Sequence, residues 1–279
     1  SVVMVKGQPF NLTSATTIVY EGTNPEMKRN ARFLSEYIQQ STGIKTTLLD
    51  KRDKKAAAIV LVINPKVQGD EAYRLTVNNK QVTIAASTPA GVFYGIQTLR
   101  KSLPVQTNGA DITLPAVDVA DAPRFGYRGM MLDCGRHFFP VSFVKKFIDI
   151  LAMHNMNVFH WHLTEDQGWR LEIKSHPELT AKSSMRSGTV IGHNATVDDS
   201  IPHGGFYTQQ EARDIVEYAR QRHITVIPEI DMPGHTLAAL AAYPELGCTG
   251  GPYEVGHRWG VYKDVLCLGK ESTYKFVQD

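Results

Sequence analysis

Cysteine is scarce: Cys134, Cys248 and Cys267 are the only three among 279 residues, too few for a disulfide scaffold and without the CxxC spacing of a zinc or redox site. A structural metal is therefore not expected. Neither charge sign dominates, with 30 Lys and Arg against 28 Asp and Glu for a formal net charge of +2, and no long basic run supplies the footprint that nucleic-acid binding needs. Nucleic acid is not expected as a partner. Long apolar runs are missing as well. AAAIVLVI at 56–63 falls far short of the ~20 residues that span a bilayer, so no membrane span is expected. The opening SVVMVKGQPF lacks the charged-then-apolar pattern of a signal peptide, which leaves the chain either cytosolic or already processed. What is present is an ordinary globular composition, 42% hydrophobic, with length for two domains at about 150 residues each.

The first 122 residues read as an α+β domain. NPEMKRNARFLSEYIQQSTG at 24–43 has Asn24 as N-cap, Pro25 at the first helical position, Met27, Ala31, Leu34 and Ile38 on one face, and Gly43 as stop. AAIVLVI at 57–63 reads as a buried strand. YRLTVNNKQVTIAAS at 73–87 alternates as two strands joined at Asn78-Asn79. Thr88 caps a second helix with Pro89 at its start, Val92, Ile96 and Leu99 inward, and Pro104 beyond its end. No catalytic constellation stands out here.

After Asp121-Ala122-Pro123 the pattern changes to strand, helix, strand, helix, strand, which sets residues 123–279 apart as a second domain. A strand from near Tyr127 to Asp133 is followed by a helix over 141–154. NVFHWHL at 157–163 is strand-like, 208–223 is a helix capped by Thr208 with Ala212, Ile215, Val216 and Ala219 inward, and ITVIPEIDM at 224–232 is a third strand. Continuous apolar strands alternating with amphipathic helices imply parallel βα units. In such units the chemistry collects at the C-terminal ends of the strands. The polar residues obey that rule: Asp133, Arg136 and His137 follow the first strand, His160, His162, Glu165 and Asp166 the second, and Glu229, Asp231 and His235 the third.

Two chemistries suit such clusters. His160 and His162 lie at i, i+2 on a strand and so share a face, as a metal-dependent hydrolase would require. Carboxylates, an arginine that grips hydroxyls bidentately and aromatic stacking surfaces suit a carbohydrate-active enzyme instead. The segments PRFGYRGMMLDCGRHF (123–138), NVFHWHLTEDQGWRLEI (157–173) and VIPEIDMPGHTLAAL (226–240) resemble, in order and spacing, the motifs of glycoside hydrolase family 20, the β-N-acetylhexosaminidases.

That resemblance implies the first three βα units of a (β/α)8 TIM barrel behind the α+β domain. It implies removal of terminal non-reducing β-linked N-acetylglucosamine or N-acetylgalactosamine without a cofactor: a carboxylic acid protonates the leaving oxygen, and the substrate's own acetamido oxygen attacks the anomeric carbon with retention. By the resemblance, Arg128 grips sugar hydroxyls and Asp166 with His235 supports the acid. Glu165 stands where the family often has aspartate. The residues alone leave open whether Cys248 and Cys267 are paired. The resemblance implies a disulfide between them, a reduced and buried Cys134, and a periplasmic or secreted location.

The family's adjacent Asp-Glu pair, in a motif reading roughly HxGGDE, has no counterpart, since no Asp-Glu dipeptide follows the third strand. Three strands cannot close an eight-stranded barrel. The reading is therefore an N-terminal piece of the enzyme that is inactive alone, at most a non-catalytic sugar binder, and prone to self-association through an open sheet edge.

Overall fold

A computed structural model of the chain describes residues 2–53, 56–105, 108–192 and 196–279. The chain divides into two compact units, one formed by Ser1–Tyr127 with Ala152–Asn155 and Gln221–His223, the other by Arg128–Leu151, Met156–Arg220 and Ile224–Asp279.

The first unit runs β1 (Val2–Met4), β2 (Phe10–Leu12), β3 (Thr17–Tyr20), α1 (Pro25–Thr42), β4 (Thr47–Leu49), β5 (Ala58–Ile63), β6 (Tyr73–Asn78), β7 (Gln81–Ala86), α2 (Pro89–Ser102), β8 (Ile112–Leu114) and β9 (Val117–Asp121). Seven of these strands form one mixed sheet in the order β1-β9-β6-β7-β5-β3-β4. Helix α1 begins where Asn24 Oδ1 accepts the Glu26 amide at 2.8 Å and stops at Gly43, whose φ of 80° suits a residue without a Cβ. Thr88 Oγ1 accepts the Gly91 amide to start α2. Met27, Ala31, Leu34 and Ile38 of α1 and Val92, Ile96 and Leu99 of α2 are all buried, each large side chain contributing about 1.5–3 kcal/mol of transfer free energy. The hairpin turns one residue later than the sequence suggests. Asn78 pairs with Gln81, so Asn79 and Lys80 make the turn, because Asn78 Oδ1 accepts the amides of both Lys80 and Gln81.

Beyond Tyr127 the chain runs β10 (Gly129–Asp133), α3 (Val141–Met153), β11 (Val158–His162), β12 (Thr164–Glu165), β13 (Gly168–Trp169), α4 (Glu178–Ala181), β14 (Met185–Arg186), β15 (His203–Gly204), α5 (Gln209–Arg220), β16 (Thr225–Glu229), α6 (Leu237–Ala242) and α7 (Glu271–Gln278). Strands β10, β11 and β16 form a parallel sheet with β11 in the middle. Their register aligns Gly129, Val158 and Thr225 at one end and Asp133, His162 and Glu229 at the other, so the three C-terminal ends lie level. The first of these strands starts at Gly129, not near Tyr127. Helix α3 buries Val144, Ile148, Leu151 and Ala152, and α5 buries Ile215 and Ala219 while Val216, at the margin of its stripe, is exposed. Cys248 and Cys267 are joined by a disulfide with Cα atoms 4.8 Å apart, and Cys134 is a buried free thiol.

Candidate active site

Short connections after β10, β11 and β16 bring their polar residues together. Asp133 ends β10, and its Oδ1 accepts the Arg136 amide at 2.9 Å, a tight turn that folds Arg136 back so that its Nη1 meets Asp133 Oδ2 at 2.6 Å. The other terminal nitrogen of Arg136 forms an ion pair with Glu165 Oε1. Glu165 Oε2 accepts the Asp166 amide at 2.9 Å and lies 3.0 Å from His235 Nδ1. Asp166 uses both oxygens: Oδ2 accepts from His235 Nδ1 at 3.1 Å and Oδ1 from the Leu237 amide at 3.0 Å. Arg136, Glu165, Asp166 and His235 thus form one connected chain of charge.

Its electrostatics follow from burial. Glu165 and Asp166 are each 1% exposed. Burial pushes the Glu165 carboxyl up, against the opposing pull of the Asp166 amide, Arg136 and His235. At His235 burial disfavours the imidazolium, but the carboxylates of Glu165, Asp166 and Asp231 outweigh it and hold the ring above the usual histidine value. His235 itself has a φ of 53°, a left-handed conformation uncommon outside glycine. With Nδ1 committed to the carboxylates, Nε2 is the nitrogen through which the ring can address a third group.

The other residues singled out from the sequence sort themselves by position. His162 Nε2 faces the Thr164 carbonyl oxygen at 2.9 Å, and His160 pairs with Glu229. His137 stacks on the ring of His203, with centroids 4.0 Å apart. Arg128 stands at the opposite end of its strand from this cluster. It precedes β10, where its carbonyl accepts the amides of Asn157 and Val158. Asp133, at the site end, is five residues further on, about 16 Å along a strand. The arginine at the C-terminal ends is Arg136. The sequence carries part of that signal, because Arg136 follows the expected strand whereas Arg128 stands near its beginning.

Among the described residues two triplets hold donor atoms within 4.8 Å of one another, His162 with Glu165 and Asp231, and Glu165 with Asp166 and His235. Neither unites His160 with His162. The Arg136 guanidinium already compensates Glu165, the member common to both, and a second cation there would be repelled.

Residues 125–279 match the catalytic domain of glycosyl hydrolase family 20, and residues 1–122 match domain 2 of the same family. The chain belongs to glycosyl hydrolase family 20. A relative from Porphyromonas gingivalis, named β-hexosaminidase, is 41% identical over 276 residues, covering 97% of this chain and 34% of that protein. The solved structure of the family 20 β-N-acetylhexosaminidase from Streptomyces coelicolor A3(2) superimposes with a TM-score of 0.86 at 37% identity, covering 99% of this chain and 54% of the other. A mutant Streptomyces plicatus β-hexosaminidase in complex with its product GlcNAc gives a TM-score of 0.85 at 37% identity, covering 99% and 53%. The chain therefore spans about a third to a half of the length of these proteins.

Proposed function

We propose that these residues supply part of the active site of an exo-acting, retaining β-N-acetylhexosaminidase, and that β10, β11 and β16 are the first strands of its (β/α)8 barrel. The observation that carries this is the His235–Asp166–Glu165–Arg136 chain at the level ends of three parallel strands, in a chain of family 20. Arg136, pinned by two carboxylates, presents a rigid guanidinium to sugar hydroxyls. The role we expected of Arg128 falls to it. Asp166 orients the His235 ring, and His235 sets the protonation of a general acid, which donates its proton to the glycosidic oxygen while the substrate's acetamido group attacks the anomeric carbon. The substrate is a glycan ending in β-linked N-acetylhexosamine, and no cofactor takes part.

The Cys248–Cys267 bond supports a periplasmic or secreted location. The exposed Met130, Met131 and Ile227 on the outer strands β10 and β16 support self-association of the 279-residue chain. The test is release of 4-nitrophenol from 4-nitrophenyl β-N-acetylglucosaminide. The intact enzyme carrying these residues turns it over, and residues 1–279 alone do not. Robust turnover by residues 1–279, free of host enzyme, overturns the assignment of roles.

A further inference from the structure

Arg170 closes the TEDQGWR segment, of which the mechanism above uses only Glu165 and Asp166. Its side chain is wholly buried, at 0% exposure, and among the described residues no carboxylate forms an ion pair with it. An unpaired buried cation is costly. The compensation comes from backbone carbonyls. Nε donates to Cys134 O at 3.0 Å and Gly135 O at 3.3 Å, Nη1 to Ser184 O at 2.5 Å and Gly205 O at 3.2 Å, and Nη2 to Gly135 O at 2.9 Å and Gln167 O at 3.2 Å. These contacts employ the whole guanidinium fork, which the three donors of a lysine cannot reproduce. Burial lowers its pKa to about 10, with Arg186 adding to the effect, so the group remains charged at neutral pH.

The carbonyls it holds are not scattered. Cys134 and Gly135 are the two residues between Asp133 and Arg136, and Gln167 directly follows Asp166. Ser184 stands two residues before Arg186, whose Nη1 donates to the Arg136 carbonyl at 2.6 Å. Space is made for the fork by Gly168, where a Cβ would lie 2.2 Å from the Arg170 Cζ atom.

We infer that Arg170 is a positioning residue that ties the main chain beside Arg136 and the main chain beside Asp166 to one buried point, and so sets the distance between the two halves of the site. The inference rests on the reading of that cluster as the sugar site, and its test does not need turnover. In the 279-residue chain, the His235 ring is titrated by NMR in wild type, Arg170→Lys and Gly168→Ala, with thermal unfolding alongside. The groups facing His235 are Glu165, Asp166 and Asp231. If Arg170 holds Asp166 against the ring, both variants lower the His235 pKa toward its ordinary value. A lower unfolding temperature with an unchanged His235 titration assigns Arg170 to general stability and overturns the inference. Should Arg170→Lys fail to fold, Gly168→Ala, which displaces the fork and keeps its charge, decides alone. In the intact enzyme, the same displacement lowers kcat with little change in KM.

Discussion

His235 Nδ1 donates to Asp166 Oδ2 at 3.1 Å across 69 residues of sequence. The contact is made by two loops that leave neighbouring parallel strands at the same level. Any disturbance of either loop is therefore legible in the protonation of one ring.

That ring should titrate above an ordinary histidine, and Asp166→Asn should bring it down. The sign for stability follows. Because the folded-state pKa is raised, the stabilisation is fully present below the unfolded value of about 6.5 and is lost as pH rises through the folded value. Unfolding temperatures of wild type and His235→Gln should accordingly differ most at acid pH and converge above the folded pKa. A gap that widens with rising pH contradicts the charge arrangement.

The two arginines should separate cleanly by activity. In the intact enzyme Arg136→Ala removes a charged hydrogen-bonding group, a loss of about 1.5–3 kcal/mol. That is roughly a ten- to hundredfold fall in kcat/KM. Arg128→Ala, at the far end of β10, should leave kcat/KM near wild type. Equal losses in the two variants would return the sugar-binding role to Arg128.

The disulfide has its own signature. Closing a loop of 19 residues is worth about 3 kcal/mol in the chain-entropy model, so a Cys248→Ser, Cys267→Ser double variant should unfold earlier by a comparable amount. Thiol labelling of the native, unreduced chain should find Cys134 protected. Labelling at Cys248 without reductant contradicts the pairing.

Helix α5 starts on a reciprocal cap. Thr208 Oγ1 accepts the Glu211 amide at 3.2 Å, and Glu211 Oε2 accepts the Thr208 amide at 2.8 Å. Thr208→Ala should cost about 1 kcal/mol, measured by denaturant unfolding. An unchanged midpoint would show that packing of Ile215 and Ala219 alone holds the helix.

Local chemistry explains which parts could be read in advance. Asn24, Pro25 and Gly43 mark α1 because capping and a positive φ are properties of single residues. The three strands of the second unit and the level of their ends followed from where polar residues interrupt apolar runs. Motif order points to Arg128 at the beginning of the expected strand, and the start of β10 at Gly129 and its register against β11 place that residue away from the ends where Arg136 lies. By the resemblance, Glu165 stands where the family often has aspartate. Its longer side chain in fact spans from Arg136 to His235, a bridge that depends on packing no pattern encodes. The carbonyl cage of Arg170 was equally hidden, since carbonyls belong to every residue and leave no trace in composition.

Asp166 has a second oxygen on the Leu237 amide, at the start of α6, and Ala238, Ala239 and Ala242 of that helix pack with Trp169 and Leu179. The carboxylate that holds the imidazole is thereby coupled to the surroundings of an indole. With Trp161 and Trp259 replaced by phenylalanine, the fluorescence of the remaining tryptophan becomes a built-in optical gauge of proton occupancy at His235, readable without substrate or label.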